Sequence, residues 1–229
     1  MATLNPEIPG RKLAALAAIV SLPFAYLTQF LFMTASDGEV AMFQSGDQMM
    51  GLAADKAGLF YAAMWTDVLG YYLIFIPVIV YAWKALRHID ENLTDIAFLC
   101  GLIYCLLGSF GAVQMAGAFE ALHAGQSAGT AAAWEASIGG NWRGYWLLEA
   151  ILVAIWLGGL AKLLSAIGLK ALGLSAAALS AIWVVQFITS HAGMVEISDA
   201  ALALVVVLSP LWSAWLGVAL LRGEKKGGS

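Results

Sequence analysis

The sequence predicts an all-α fold, a polytopic membrane bundle of six transmembrane helices with both termini cytoplasmic. Three observations predict it. The 229 residues are 62% hydrophobic and 11% charged, whereas a soluble domain is about half apolar and about a quarter charged. Six apolar stretches approach the roughly 20 residues that cross a bilayer. Lys and Arg gather in the gaps that share one face of the membrane under an even number of crossings.

Taken in order, the spans cover about 12–34, 58–83, 95–119, 144–165, 171–192 and 201–221. Arg11 and Lys12 precede the first. Its apolar run is too long for a cleaved signal peptide, and "FMTASDG" lacks a good A-x-A site. "SDGEV" and "SGDQMMGLAADKAG" separate it from the second, and "LRHIDENLTD" turns the chain after that. "HAGQSAGTAAAWEASIGGNWR" reads as a loop before the fourth, while "GLK" and "GMVEISD" make the last two turns. Gly, Ser, Asp and Asn supply the turn conformations that apolar residues do not.

Nine basic residues fall on one side: Arg11, Lys12, Lys84, Arg87, Lys162, Lys170, Arg222, Lys225 and Lys226. Only Lys56 and Arg143 fall on the other. The positive-inside rule makes the first side cytoplasmic. Residues 1–226 therefore read as a single transmembrane domain and 227–229 as a tail. The expected location is a cell inner (plasma) membrane, multi-pass.

Several classes drop out. A net charge of −4 with no dense basic patch excludes nucleic acid as a partner. Cys100 and Cys105 stand about 140° apart around a helix, which disfavours a disulfide. His88, His123 and His191 lie on opposite sides, so no three-histidine zinc site forms. Met33, Met42, Met49, Met50, Met64, Met115 and Met194 all fall in the outer half, where thioethers would suit Cu(I). Without an M-x-M cluster they read as gap fillers. No metal and no cofactor are expected.

The informative residues are polar ones inside the spans. Asp67 lies about nine residues into span 2, roughly 13 Å deep, and Glu149 about six into span 4, roughly 9 Å deep. An acid near the bilayer centre costs on the order of 2.5–3.5 kcal/mol, so neither faces lipid, and each is a functional-site candidate. Gln29, Gln114 and Gln186 share their level, though glutamine also simply bonds neighbouring membrane helices. Glu120 and His191, near the interface, read as solvated helix ends.

Helical spacing places Phe60, Met64, Asp67, Tyr71 and Phe75 on one face of span 2. On span 4 the matching stripe is Trp142, Trp146, Glu149, Val153 and Trp156. Tyr26, Gln29 and Met33 align on span 1, and Ile182, Gln186 and Thr189 on span 5. A ligand-binding set follows: Asp67, Glu149, Gln29, Gln114, Gln186, Tyr71, Met64 and Trp146. Aromatic and Met neighbours around a few polar groups suit a pocket for a small, partly apolar molecule. Trp134, Trp142 and Trp146 also sit at the depth of an interfacial aromatic belt.

Gly101, Gly108, Gly111 and Gly117 on span 3, with Gly158 and Gly159 on span 4, permit close helix approach, within the bundle or against a second copy or partner membrane protein. Pro23, Pro77 and Pro210 predict kinks or breaks. "AMFQSGDQMMGLA", in the loop Ser36–Ala57, is mildly amphipathic and suits a short interfacial helix over the pocket.

Two stretches, "DVLGYYLIFIPVIVYAWKALRHIDENLTDIAFLCGLIYCLLGSFGAV" and "YWLLEAILVAIWLGGLAKLL", resemble a pattern in bacterial six-helix membrane proteins grouped as a domain of unknown function. It joins an acid near L-G-Y-Y/F-L-x-x-x-P to a later E-x-x-L-x-x-x-W-x-x-G-x-x-L helix. The resemblance covers about half the chain. It implies six helices in a bacterial inner membrane, no assigned activity, and acidic positions at Asp67 and Glu149.

The functional expectation is a protein that binds or transports a small, partly apolar or cationic solute through an outward-facing polar pocket, with the lipid bilayer as its surroundings. A membrane-embedded enzyme acting on lipid or quinone is the alternative, with Asp67 or Glu149 as general base. The chain has no H-E-x-x-H or C-x-x-C. An accessory subunit docking through its glycines is a third reading.

Overall fold

The structure is a computed structural model that describes residues 8–125, 127 and 129–222, with the side chains of Val40, Trp142 and Arg143 left undescribed. Lys225, Lys226 and the tail 227–229 lie outside the described residues, as do the Trp142 and Arg143 side chains. Among the described residues there are helices and no strand.

Helix α1 runs Arg11–Ala35, followed by a 3₁₀ turn at Val40–Gln44 and the short α2, Gly46–Met50. Helix α3, Ala54–Asp67, passes through a π-helical turn, Val68–Leu73, into α4, Phe75–Leu86. Then come α5, Glu91–Ala124, and α6, Thr130–Gly140. A second π turn, Asn141–Tyr145, leads into α7, Trp146–Ala166. Helices α8, Lys170–His191, and α9, Val195–Arg222, complete the chain.

Six segments are long and apolar enough to cross a membrane: α1, α3 through α4, α5, α7, α8 and α9. Each contains its sequence-predicted span or matches it to within two residues. Gly168 and Gly193, at φ 86° and 71°, end α7 and α8. Only glycine takes that left-handed geometry freely. There Leu169 N–H bonds Leu164 O and Met194 N–H bonds Thr189 O, at 2.9 and 2.8 Å. Asp90 caps α5 by accepting from Leu93 N–H at 3.1 Å.

One expectation fails. The segment between spans 3 and 4 is not a loop: "TAAAWEASIGG" forms α6, and its helical path continues through the π turn into α7. Ala and Glu are strong helix formers, and this run contains no proline. Helix α6 packs on α2. Gly46 fits directly on the Ala131 carbonyl, where no Cβ has room. Trp134 is fully buried and donates to Phe43 O at 2.8 Å, so it is a cap residue and not an interfacial belt residue. The 3₁₀ turn, α2 and α6 thus form a cap over one end of the bundle.

The six spans form a closed ring. Each packs on its neighbours in sequence, and α9 returns to pack on α1. Closure is tight: Ser213 Oγ donates to Ala18 O at 3.0 Å, and Gly217 lies against the Ala15 carbonyl. Outside the ring, Phe30, Phe110 and Leu174 are 64, 63 and 70% exposed, an apolar exterior suited to acyl chains. The end opposite the cap gathers the basic residues. There Arg87 holds Asp95 through two 3.0 Å hydrogen bonds and Lys162 pairs with Asp90 at 3.1 Å.

Candidate functional site

A cavity of about 220 Å³ lies inside the ring, and all six spans contribute to its wall. At roughly 30 Å³ per water, that is space for about seven waters or one small organic molecule. Its lining draws on both hydrophobic clusters, one under the cap and one toward the basic end. Phe43 of the 3₁₀ turn and Ile138 of α6 bring the cap to its wall.

The lining is aromatic and acidic. Among the described residues it contains four Phe, three Tyr and four Trp, together with Asp67 and Glu149, and no Lys, Arg or His. Asp67 ends α3 and is 9% exposed. Among the described residues no donor reaches its carboxyl. Glu149 is 5% exposed, and its Oε1 accepts from the Tyr72 hydroxyl at 3.0 Å. Its Oε2, Gln186 Oε1, Trp183 Nε1 and Ser209 Oγ are buried without partners. All four belong to cavity-lining residues. Buried polar atoms are almost always paired with protein or water, so four orphans around one hollow mark it as wet or ligand-filled.

The π turn builds this wall. Pro77 has no N–H to return to the Leu73 carbonyl four residues back, and its ring crowds that carbonyl. The helix widens just before it. In a regular α-helix Tyr71 and Tyr72 point about 100° apart. Here both line the cavity. The Tyr104 hydroxyl donates to the Tyr71 carbonyl at 2.9 Å, pinning the widened turn to α5. Gly70 lets the turn approach α1, where an added Cβ would lie 2.5 Å from Ala25 N.

Helix α5 explains why its glycines are there. Gly108 seats the Tyr72 ring, Gly111 the Trp146 indole and Gly101 the Trp156 indole. A Cβ would lie 2.8 Å from Trp146 Nε1 at Gly111 and 3.0 Å from Trp156 at Gly101. The glycine face is therefore filled by the chain's own cavity aromatics. Gly117 alone of that set meets nothing.

Of the eight sequence-predicted site residues, the structure brings seven to the cavity: Gln29, Met64, Asp67, Tyr71, Trp146, Glu149 and Gln186. Gln114 is not among them. It is exposed, one position from the fully buried Met115, because the Gly111–Met115 face of α5 turns inward. The span 2 stripe holds throughout, and on span 4 Trp146, Glu149, Val153 and Trp156 all line the wall. The span 1 stripe does not hold. Tyr26 and Met33, 37 and 48% exposed, face away from Gln29's side. Thr189 turns back to bond the Val185 carbonyl at 2.7 Å. Glu120 and His191 are exposed helix-end residues, as read from the sequence.

Sequence reasoning missed Tyr72, Tyr104, Trp183 and Ser209. The Pro77 signal pointed to Tyr72 and Pro210 to Ser209, while Tyr104 and Trp183 carried none. The ring and its interior define a class, a six-span helical bundle enclosing an acidic, aromatic-walled cavity. No protein-family model, curated protein or solved structure matches this chain.

Proposed function

We propose that the protein binds, and moves through the membrane, a small solute with an apolar body and a polar, hydrogen-donating or cationic head. The carrying observation is the pair Asp67 and Glu149, buried in one aromatic-walled cavity with no basic side chain among its described lining residues. A buried acid inside a membrane bundle is maintained against a cost, and its usual reason is a ligand or ion path. Glu149 Oε2 and Gln186 Oε1, both unpartnered, would accept from the solute head, while the rings hold its body. By the positive-inside rule the basic end faces the cytoplasm of a plasma membrane, which implies a cavity in the outer half beneath the cap.

The test is a thermal-shift screen with lipids, quinones, amines and metal ions, on the wild type and on Asp67→Asn. Amines should raise the wild-type Tm and leave that of Asp67→Asn unmoved. Should Asp67→Asn melt the protein while no compound moves the wild type, the cavity is structural and the reading fails.

A further inference from the structure

Among the described residues no basic side chain lines the cavity beside Asp67 and Glu149. The other titratable groups facing them are the phenols of Tyr71, Tyr72 and Tyr104, with the buried Cys105 thiol adjoining. Helices α1, α8 and α9 present the uncharged polar groups of Gln29, Trp183, Gln186 and Ser209. Two negative charges enclosed by protein and lipid are strongly unfavourable unless something neutralises them. The walls discriminate between neutralisers. Ring faces are electronegative and attract cations. Inorganic cations need shells of oxygen ligands, and among the described residues no three His, Cys, Asp or Glu are placed to hold a metal ion.

We propose that the cavity exchanges a proton for a monovalent organic cation, a protonated or quaternary amine carrying one ring-sized apolar body. This rests on the binding role proposed above. In the unliganded state protons neutralise the carboxyls. When the cation enters, the O–H bond of one carboxyl breaks, the proton leaves to water, and the carboxylate formed pairs with the cation. No covalent bond to the cation forms, and charge is conserved. Asp67, which no donor holds, is the carboxyl that changes state. Glu149, fixed through Oε1 by Tyr72, orients the cation with Oε2.

Two probes separate the possibilities: benzyltrimethylammonium and its neutral carbon isostere, neopentylbenzene. Each is titrated calorimetrically into purified protein at acid, neutral and alkaline pH, in two buffers of different ionisation heat. The cation should bind more tightly as pH rises, by up to about tenfold per pH unit while the carboxyl is protonated in the unliganded protein. About one proton should be released per cation. Asp67→Asn should abolish both effects, with Asp67→Ser as the substitute if that variant does not fold. Glu149→Gln should weaken the cation at least tenfold and spare the isostere. Equal binding of the neutral isostere, without pH dependence, overturns the exchange and leaves the binding role standing. If neither probe binds and the amine screen is also silent, both proposals fall.

Discussion

The Tyr71 hydroxyl donates to the Val206 carbonyl at 3.1 Å, the carbonyl that Pro210, four residues on, leaves without a helical N–H partner. Gln29 Nε2 in turn reaches the Tyr71 hydroxyl at 3.4 Å. A side chain of the cavity wall thereby satisfies the broken backbone of α9. At the next residue along α9, Tyr26 from α1 donates to Val207 O at 3.0 Å. Two tyrosines span the proline site from two neighbouring segments.

Tyr71→Phe should therefore destabilise the protein by about 1 kcal/mol, the net worth of one hydrogen bond. In a Pro210→Ala background the alanine amide introduced there serves Val206 itself, and the same change should cost measurably less. A double-mutant cycle in reversible unfolding reads the difference. Additive costs would show that the tyrosine does not serve that carbonyl.

Gly108→Ala should displace the Tyr72 ring that occupies the space of the missing Cβ. The expected penalty is about 1–3 kcal/mol of overpacking, with loss of the Tyr72–Glu149 bond and weaker amine binding. Gly117→Ala, further along α5, meets nothing within 4 Å. It should be neutral or stabilise by up to about 1 kcal/mol through helix propensity. Equal effects at both positions would refute the seating role.

Trp134→Ala should cost about 3–5 kcal/mol, as large buried aromatics do, because the indole is enclosed by Phe60, Phe119 and Ile138 under the cap. Trp134→Phe keeps most of the packing but leaves Phe43 O without its donor, at about 1 kcal/mol. Denaturant midpoints of the pair separate packing from hydrogen bonding.

At the basic end, the Leu93 backbone N–H and then Lys162 hold the Asp90 carboxyl below its usual range. A carboxyl lowered in the folded state stabilises above its unfolded value, about 3.9. That contribution disappears as pH falls through the folded value. Asp90→Asn should therefore be less stable than wild type at neutral pH, with the two stability curves converging in acid. Asn still caps a helix, so the gap should shrink in high salt, which screens the Lys162 pair. A gap that persists unchanged down to the lowest pH would count against this assignment.

How much was legible depends on the kind of signal. Span positions follow from local hydropathy, and the structure agrees. The stripe from Phe60 to Phe75 was readable although the helix widens in its middle, because the extra residue of the π turn brings in Tyr72 without expelling Tyr71. Gln114 was misplaced because equal depth does not fix rotation, and neighbouring positions differ by about 100°. Helix α6 was hidden by its small, weakly patterned residues, whose partner α2 lies far away in sequence. The glycines of α5 looked like a surface for another helix. Only coordinates reveal rings lodged there, since nothing local in a sequence says what fills a gap.

The hydrogen bond joining Ser21 to Ser213 spans 192 residues, so the enclosure cannot exist until the final helix has been synthesised. While translation proceeds, Asp67 and Glu149 stand with one flank of their shelter missing. Until α9 docks on α1, these two acids lack the wall that the last helix supplies. Synthesis order thus makes the last helix the step that turns an open palisade of helices into a chamber.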